Sequence, residues 1–91
     1  MPKRVDSVQP QIVDSLRRLG VSICHLHSLG HGVPDILCGY RGINTLMEIK
    51  SGPRAKLTED ELRWHARWAG QVAVVHSVEE ALDILGVVRG R

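Results

Sequence analysis

The apolar positions along this chain change their period several times, and each change marks an element. Val8, Ile12, Leu16 and Leu19 recur at three- and four-residue spacing, which predicts a helix stopped by Gly20. Pro10 is tolerated only in a first turn, so this helix starts near Val8 or Gln9, with Asp6 or Ser7 as its cap. Residues 21–26 form a short apolar run of strand type. Two further runs follow, 34–40 and 43–50, separated by a turn around Arg41 and Gly42; the second is rich in β-branched and apolar residues.

Thr58 with Glu61 has the spacing of a capping box, and Leu57 with Leu62 that of the accompanying hydrophobic staple. A second helix is therefore expected from Thr58 to Gly70, with Leu62, His65, Ala66 and Ala69 as its core stripe. Val72 to Val75 is unbroken valine and alanine, the pattern of a strand buried on both faces. Ser77 with Glu80 repeats the capping-box spacing before a short helix that runs to Leu85 and Gly86, and Val87 with Val88 is read as an added edge. Residues 1–7 are a loose polar lead and 89–91 a basic tail. The predicted order is α-β-β-β-α-β with a closing helix, an α/β arrangement without repeats.

Composition narrows the class. Ninety-one residues suffice for one domain and leave no room for a second, so 1–91 is read as a single domain with a core of about 8–85. A chain this short buries only about two-thirds of its surface, which favours help from a second copy. With no Phe, two Trp and one Tyr, the core must be aliphatic. No apolar run approaches the roughly 20 residues of a membrane span and no leader pattern opens the chain, so neither an anchor nor export is expected. Cys24 and Cys38 have neither metal-site spacing nor a disulfide framework, and the cytoplasm is the expected compartment. The net charge of +2 says little about partners. His25, His27 and His31 cluster in one loop region but lack the spacing of a structural zinc site.

The chemistry lies in the central pair of strands. Side chains alternate along a strand, so Leu46, Glu48 and Lys50 share one face while Thr45, Met47 and Ile49 share the other. If the connection from Tyr40 to Ile43 closes a hairpin, Asp35 lies opposite the end of the second strand. Two carboxylates and a lysine then converge. Paired carboxylates resist joint ionisation unless a cation lies between them, and hard divalent ions take such oxygens together with waters and phosphate. A metal there could polarise a phosphodiester, with the lysine steering the water or balancing developing charge.

Pro34-Asp35 followed by Glu48-Ile49-Lys50 resembles the PD-(D/E)XK nuclease signature. The wider string from Gly32 to Gly52, then Lys56-Leu57-Thr58, Trp64 and 70–75, is similar to the VRR-NUC branch of that superfamily, over roughly residues 6–85. The resemblance implies a restriction-endonuclease-like αβββαβ core, a mixed central sheet flanked by helices. It further implies a DNA endonuclease dependent on Mg²⁺ or Mn²⁺, with Asp35, Glu48 and the Ile49 carbonyl holding metal and Lys50 beside the attacking water. The small stand-alone members of this branch, often phage-encoded, resemble Holliday-junction resolvases and act as homodimers, which implies branched DNA as substrate. Arg54, Lys56, Arg63 and Arg67 would then hold DNA phosphates.

The family's pattern is departed from twice. Its further acid on the first helix falls near Gln9 or Gln11, and Gln11 is the candidate for facing the metal. Its second-helix Gln is replaced by Glu61, which the capping box already explains. The alternative reading is a DNA-binding or assembly module of the same fold with a decayed centre.

Overall fold

The structure, a computed structural model, describes residues 8–88. The order of elements is α1 (Gln9–Arg18), β1 (Ser22–His25), β2 (Ile36–Tyr40), β3 (Ile43–Ile49), α2 (Glu59–Arg67), β4 (Val72–Val75) and α3 (Val78–Leu85). A 3₁₀ turn at His27–Leu29 lies between β1 and β2. Four strands make one mixed sheet in the order β1-β2-β3-β4, antiparallel except for the parallel pairing of β3 with β4. The class is α/β, and the α-β-β-β-α-β order with a closing helix is the one expected from periodicity.

The β2–β3 connection is a two-residue hairpin. Tyr40 pairs with Ile43, and Arg41 and Gly42 both take positive φ, 53° and 80°. That is the primed turn whose twist matches the strands it joins. The turn sets the register Ile36 with Met47 and Leu37 with Leu46, so Asp35 lies across from Glu48.

Pairing sorts the sheet into two unlike faces. Ile36, Cys38, Met47, Ile49 and Val75 point into the core and meet Ile12, Val13 and Leu16 of α1 and Ala81 and Leu82 of α3. Leu46, Glu48 and Lys50 point to the opposite face, over whose end α2 lies. Cys38 is enclosed in the core, where burial pushes its thiol up to about 11 and leaves it inert. Cys24 is exposed.

Several expectations are corrected. The α2 core stripe does not exist: Leu62 is 55% exposed, Ala66 and Ala69 are exposed, and the only fully buried side chain of the helix is Glu61. The helix also ends at Arg67, short of Gly70. At the margin of the sheet, β4 has Val72, Ala73 and Val74 half-buried and only Val75 enclosed. Val87 is buried and Val88 exposed, but neither pairs. At α3 the Ser77 hydroxyl accepts from the Glu80 N–H, while the Glu80 carboxylate turns back to the His76 N–H. Asp6, Ser7, the polar lead and the basic tail lie outside the described residues, and α1 has no side-chain cap at Val8.

Without an apolar stripe, α2 needs another seat, and a glycine provides it. Gly32 has φ +82° and is buried, and a Cβ there would fall on the Asp60 carbonyl in the first turn of α2. We expect Gly32→Ala to destabilise the fold by about 2 kcal/mol or more, combining left-handed strain with a backbone clash. Gly30→Ala, at φ +71° and ψ −162° but with open space around it, should cost its backbone strain alone, about 1–3 kcal/mol, and less than Gly32→Ala. Equal melting temperatures for the two variants would show that Gly32 does not seat the helix.

Candidate active site

The site begins at the mouth of β2. Asp35 is 8% exposed, and its Oδ2 accepts a hydrogen bond of 2.7 Å from the backbone N–H of Ile49, across the sheet. That bond fixes the carboxylate beside the strand end that carries Glu48 and Lys50. Glu48 is 2% exposed, and its Oε1 has no hydrogen-bond partner. The hairpin therefore brings Asp35, Glu48 and Lys50 together, as expected from their spacing.

Two residues that the sequence reading had assigned to structure join them from α2. Glu61 caps its own helix: its Oε1 accepts from the Thr58 N–H at 2.8 Å, and the Thr58 hydroxyl accepts from the Glu61 N–H at 3.2 Å. The same Oε1 lies 2.7 Å from Lys50 Nζ, in a pair whose side chains are 2% and 13% exposed. One turn later His65 sets its Nε2 3.9 Å from Glu48 Oε1, too far for a hydrogen bond, and that nitrogen also lacks a partner. The signal that could have found both is their four-residue spacing, which puts them on one face of α2.

The charges are arranged against one another. Burial, then the hydrogen-bonded and like-charged Asp35 carboxylate, then Glu61, push Glu48 up to about 9, with Lys50 opposing. At neutral pH Glu48 keeps its proton. For Glu61, burial also pushes upward, but hydrogen bonds from Lys50 and Thr58 and the lysine's charge outweigh it and hold the group below its ordinary value. Burial depresses His65, with Glu61 opposing, so its imidazole is neutral at physiological pH.

The other candidates are more scattered. Gln11, the candidate metal contact, is exposed, and the buried amide of α1 is Gln9, 3% exposed. Gln9 lies three residues before Ile12 and four before Val13 and shares their buried face, which Gln11 does not. The α1 N-terminus still abuts this end of the sheet, through Val8 N–H to Ser51 Oγ at 3.3 Å. Arg54 and Lys56 are exposed in the loop before α2. Arg63 and Arg67 line a groove of about 460 Å³ with His31, Asp60, Trp64 and Trp68. Arg63 is already paired there, 2.6 Å from Asp60 and 3.8 Å from Glu59. The two indoles stack on each other, 4.7 Å between centroids.

Among the described residues, no three His, Cys, Asp or Glu side chains are grouped as ready ligands of one metal ion. No helix among them is long and apolar enough to cross a membrane. Comparison with family models, with curated proteins and with solved structures gave no match.

The Glu48 shift makes stability depend on pH. A carboxyl raised when folded binds more protons in the folded state, so its contribution is complete below about 4.5 and is lost as pH rises toward about 9. Glu48→Gln removes this contribution. Without divalent ions, the melting temperature of Glu48→Gln should therefore gain on that of the parent steadily between pH 5 and pH 9. A difference that stays constant across that range would mean that Glu48 is not the buried acid described.

Proposed function

We propose that this chain is a divalent-metal-dependent DNA endonuclease of VRR-NUC type, built on the restriction-endonuclease-like core and acting on branched duplexes as a homodimer. The observation that carries the reading is the buried Asp35–Glu48 pair on neighbouring strands, with Lys50 on the same face. A buried carboxylate oxygen without a partner, Glu48 Oε1, suits a cation as its missing counterpart. Mg²⁺ and Mn²⁺ fit the donors present, since such ions are commonly held by one or two carboxylates and keep several waters. Asp35, Glu48 and the Ile49 carbonyl would hold the ion. When bound, it supplies charge at the scissile phosphate and acidifies a water nearby.

The remaining chemistry falls to the side chains. Lys50 Nζ lies 2.7 Å from the Glu61 carboxylate, a counter-ion that suits it to the role of a positive charge rather than a base. It orients the attacking water and balances the charge that grows on the phosphate oxygens. Attack forms a new P–O bond and breaks the bond to the 3′ oxygen. The water's proton passes to solvent, the leaving alkoxide takes one up, and a 5′-phosphate remains. Arg54, Lys56 and Arg67 would hold flanking phosphates; Arg63 would first have to leave Asp60.

One observation favours the alternative, a DNA-binding module with a decayed centre: α1 offers the amide of Gln9 where the family has an acid. Ion uptake separates the two, because a decayed centre should take up little.

The test is incubation of linear, flapped and four-way DNA with Mg²⁺ or Mn²⁺, alongside light scattering for mass. We expect paired nicks on the junction by a dimer. Asp35→Ala and Glu48→Ala should abolish cleavage, while Lys50→Ala should lower it about 10²- to 10³-fold and spare ion uptake. Parental cleavage by Asp35→Ala would refute the reading.

A further inference from the structure

The resemblance to metal nucleases leaves His65 without a role, yet its surroundings give it one. Glu48 Oε1 and His65 Nε2 are both buried and without hydrogen-bond partners, and they lie 3.9 Å apart. An orphaned acceptor facing an orphaned imidazole nitrogen is a costly arrangement to bury, and a group that satisfies both atoms at once resolves it. We propose that His65 is a nitrogen donor to the same ion that Glu48 binds, so that the site takes a first-row transition ion such as Mn²⁺ in preference to Mg²⁺. The inference rests on the metal-dependent reading above and adds to it the identity of the ion.

The geometry suits one shared ion. Adjacent donors on an octahedral ion, with bonds of about 2.1 Å, lie roughly 3.0 Å apart, so an approach of about 1 Å brings both atoms onto one ion. His65 is held in place for this. Its ring lies edge-on to Trp64, 5.9 Å between centroids, and its side chain is 15% exposed. Asp35 Oδ2 already accepts from the Ile49 N–H, so the atoms still to be satisfied are those of Glu48 and His65. With Asp35 and the Ile49 carbonyl as in the reading above, the rest of the shell is left to waters and a substrate oxygen. Mg²⁺ takes oxygen ligands and is poorly served by an imidazole, whereas transition ions accept it. The neutral form of His65 is the ligating form.

The decisive measurement is pulsed electron paramagnetic resonance of Mn²⁺ bound to the full chain carrying ¹⁵N-labelled histidine. We expect a directly bonded ¹⁵N coupling that disappears in His65→Gln. Calorimetry should show the parent binding Mn²⁺ about tenfold or more tightly than Mg²⁺, and His65→Gln losing that preference while keeping its Mg²⁺ affinity. The coupling in the parent chain does not depend on the variant folding well. If Mn²⁺ binds and Asp35→Ala or Glu48→Gln abolishes binding, but no nitrogen coupling is seen, the inference fails and the nuclease reading stands. A water bridging the two atoms would give that result. If the parent takes up neither ion, both fail.

Discussion

One oxygen atom holds this site together. Glu61 Oε1 accepts from the backbone of Thr58 and from the ammonium of Lys50, so the start of α2 and the end of β3 share a single acceptor. Each bond supports the other. The cap orients the carboxylate toward the strand, and the lysine's hydrogen bond and charge, with the cap, outweigh the upward push of burial. Removing either partner would leave a buried charge unpaired, which costs far more than the pair contributes.

The same pair governs Glu48. Because Glu61 takes the lysine, Glu48 is left facing Asp35, a second carboxylate, with little charge to offset the loss of water. Burial pushes both carboxyls upward; Asp35 adds to it at Glu48, while Lys50 and Thr58 reverse it at Glu61. A site whose acids are split in this way can hold a proton at neutral pH and still release it to an arriving cation.

Much of this was legible in the sequence. The alternation along β3 placed Glu48 and Lys50 on one face, and the turn at Arg41 and Gly42 fixed which residue Asp35 would oppose, because strand period and hairpin chemistry are local rules. The capping box at Thr58 was equally local, and it is present. What failed was the face of α2. Leu62, Ala66 and Ala69 are apolar by type, and a binary pattern assigns such residues to a core, but the sheet face beneath α2 presents Glu48 and Lys50. Polar side chains at the same spacing, Glu61 and His65, are what that face can accept. Tertiary context reversed the stripe, and a single sequence carries no sign of it. The inward amide was legible and misassigned: Gln9 lies three and four residues before Ile12 and Val13, so the same spacing that buries them buries it.

A helix held by a buried ion pair, a histidine and a glycine seat is held differently from one held by aliphatic packing. Local opening costs least where few apolar contacts must be broken, and α2 encloses no aliphatic side chain, whereas β2 and β3 enclose Ile36, Met47 and Ile49. By that measure α2 is the element whose local opening would cost least while the sheet stays paired. Its amides should exchange with solvent deuterium well before those of the central strands. Each such excursion floods Glu48 with water and returns it to an ordinary acid, so the electrostatic character of the site lasts only as long as α2 stays down.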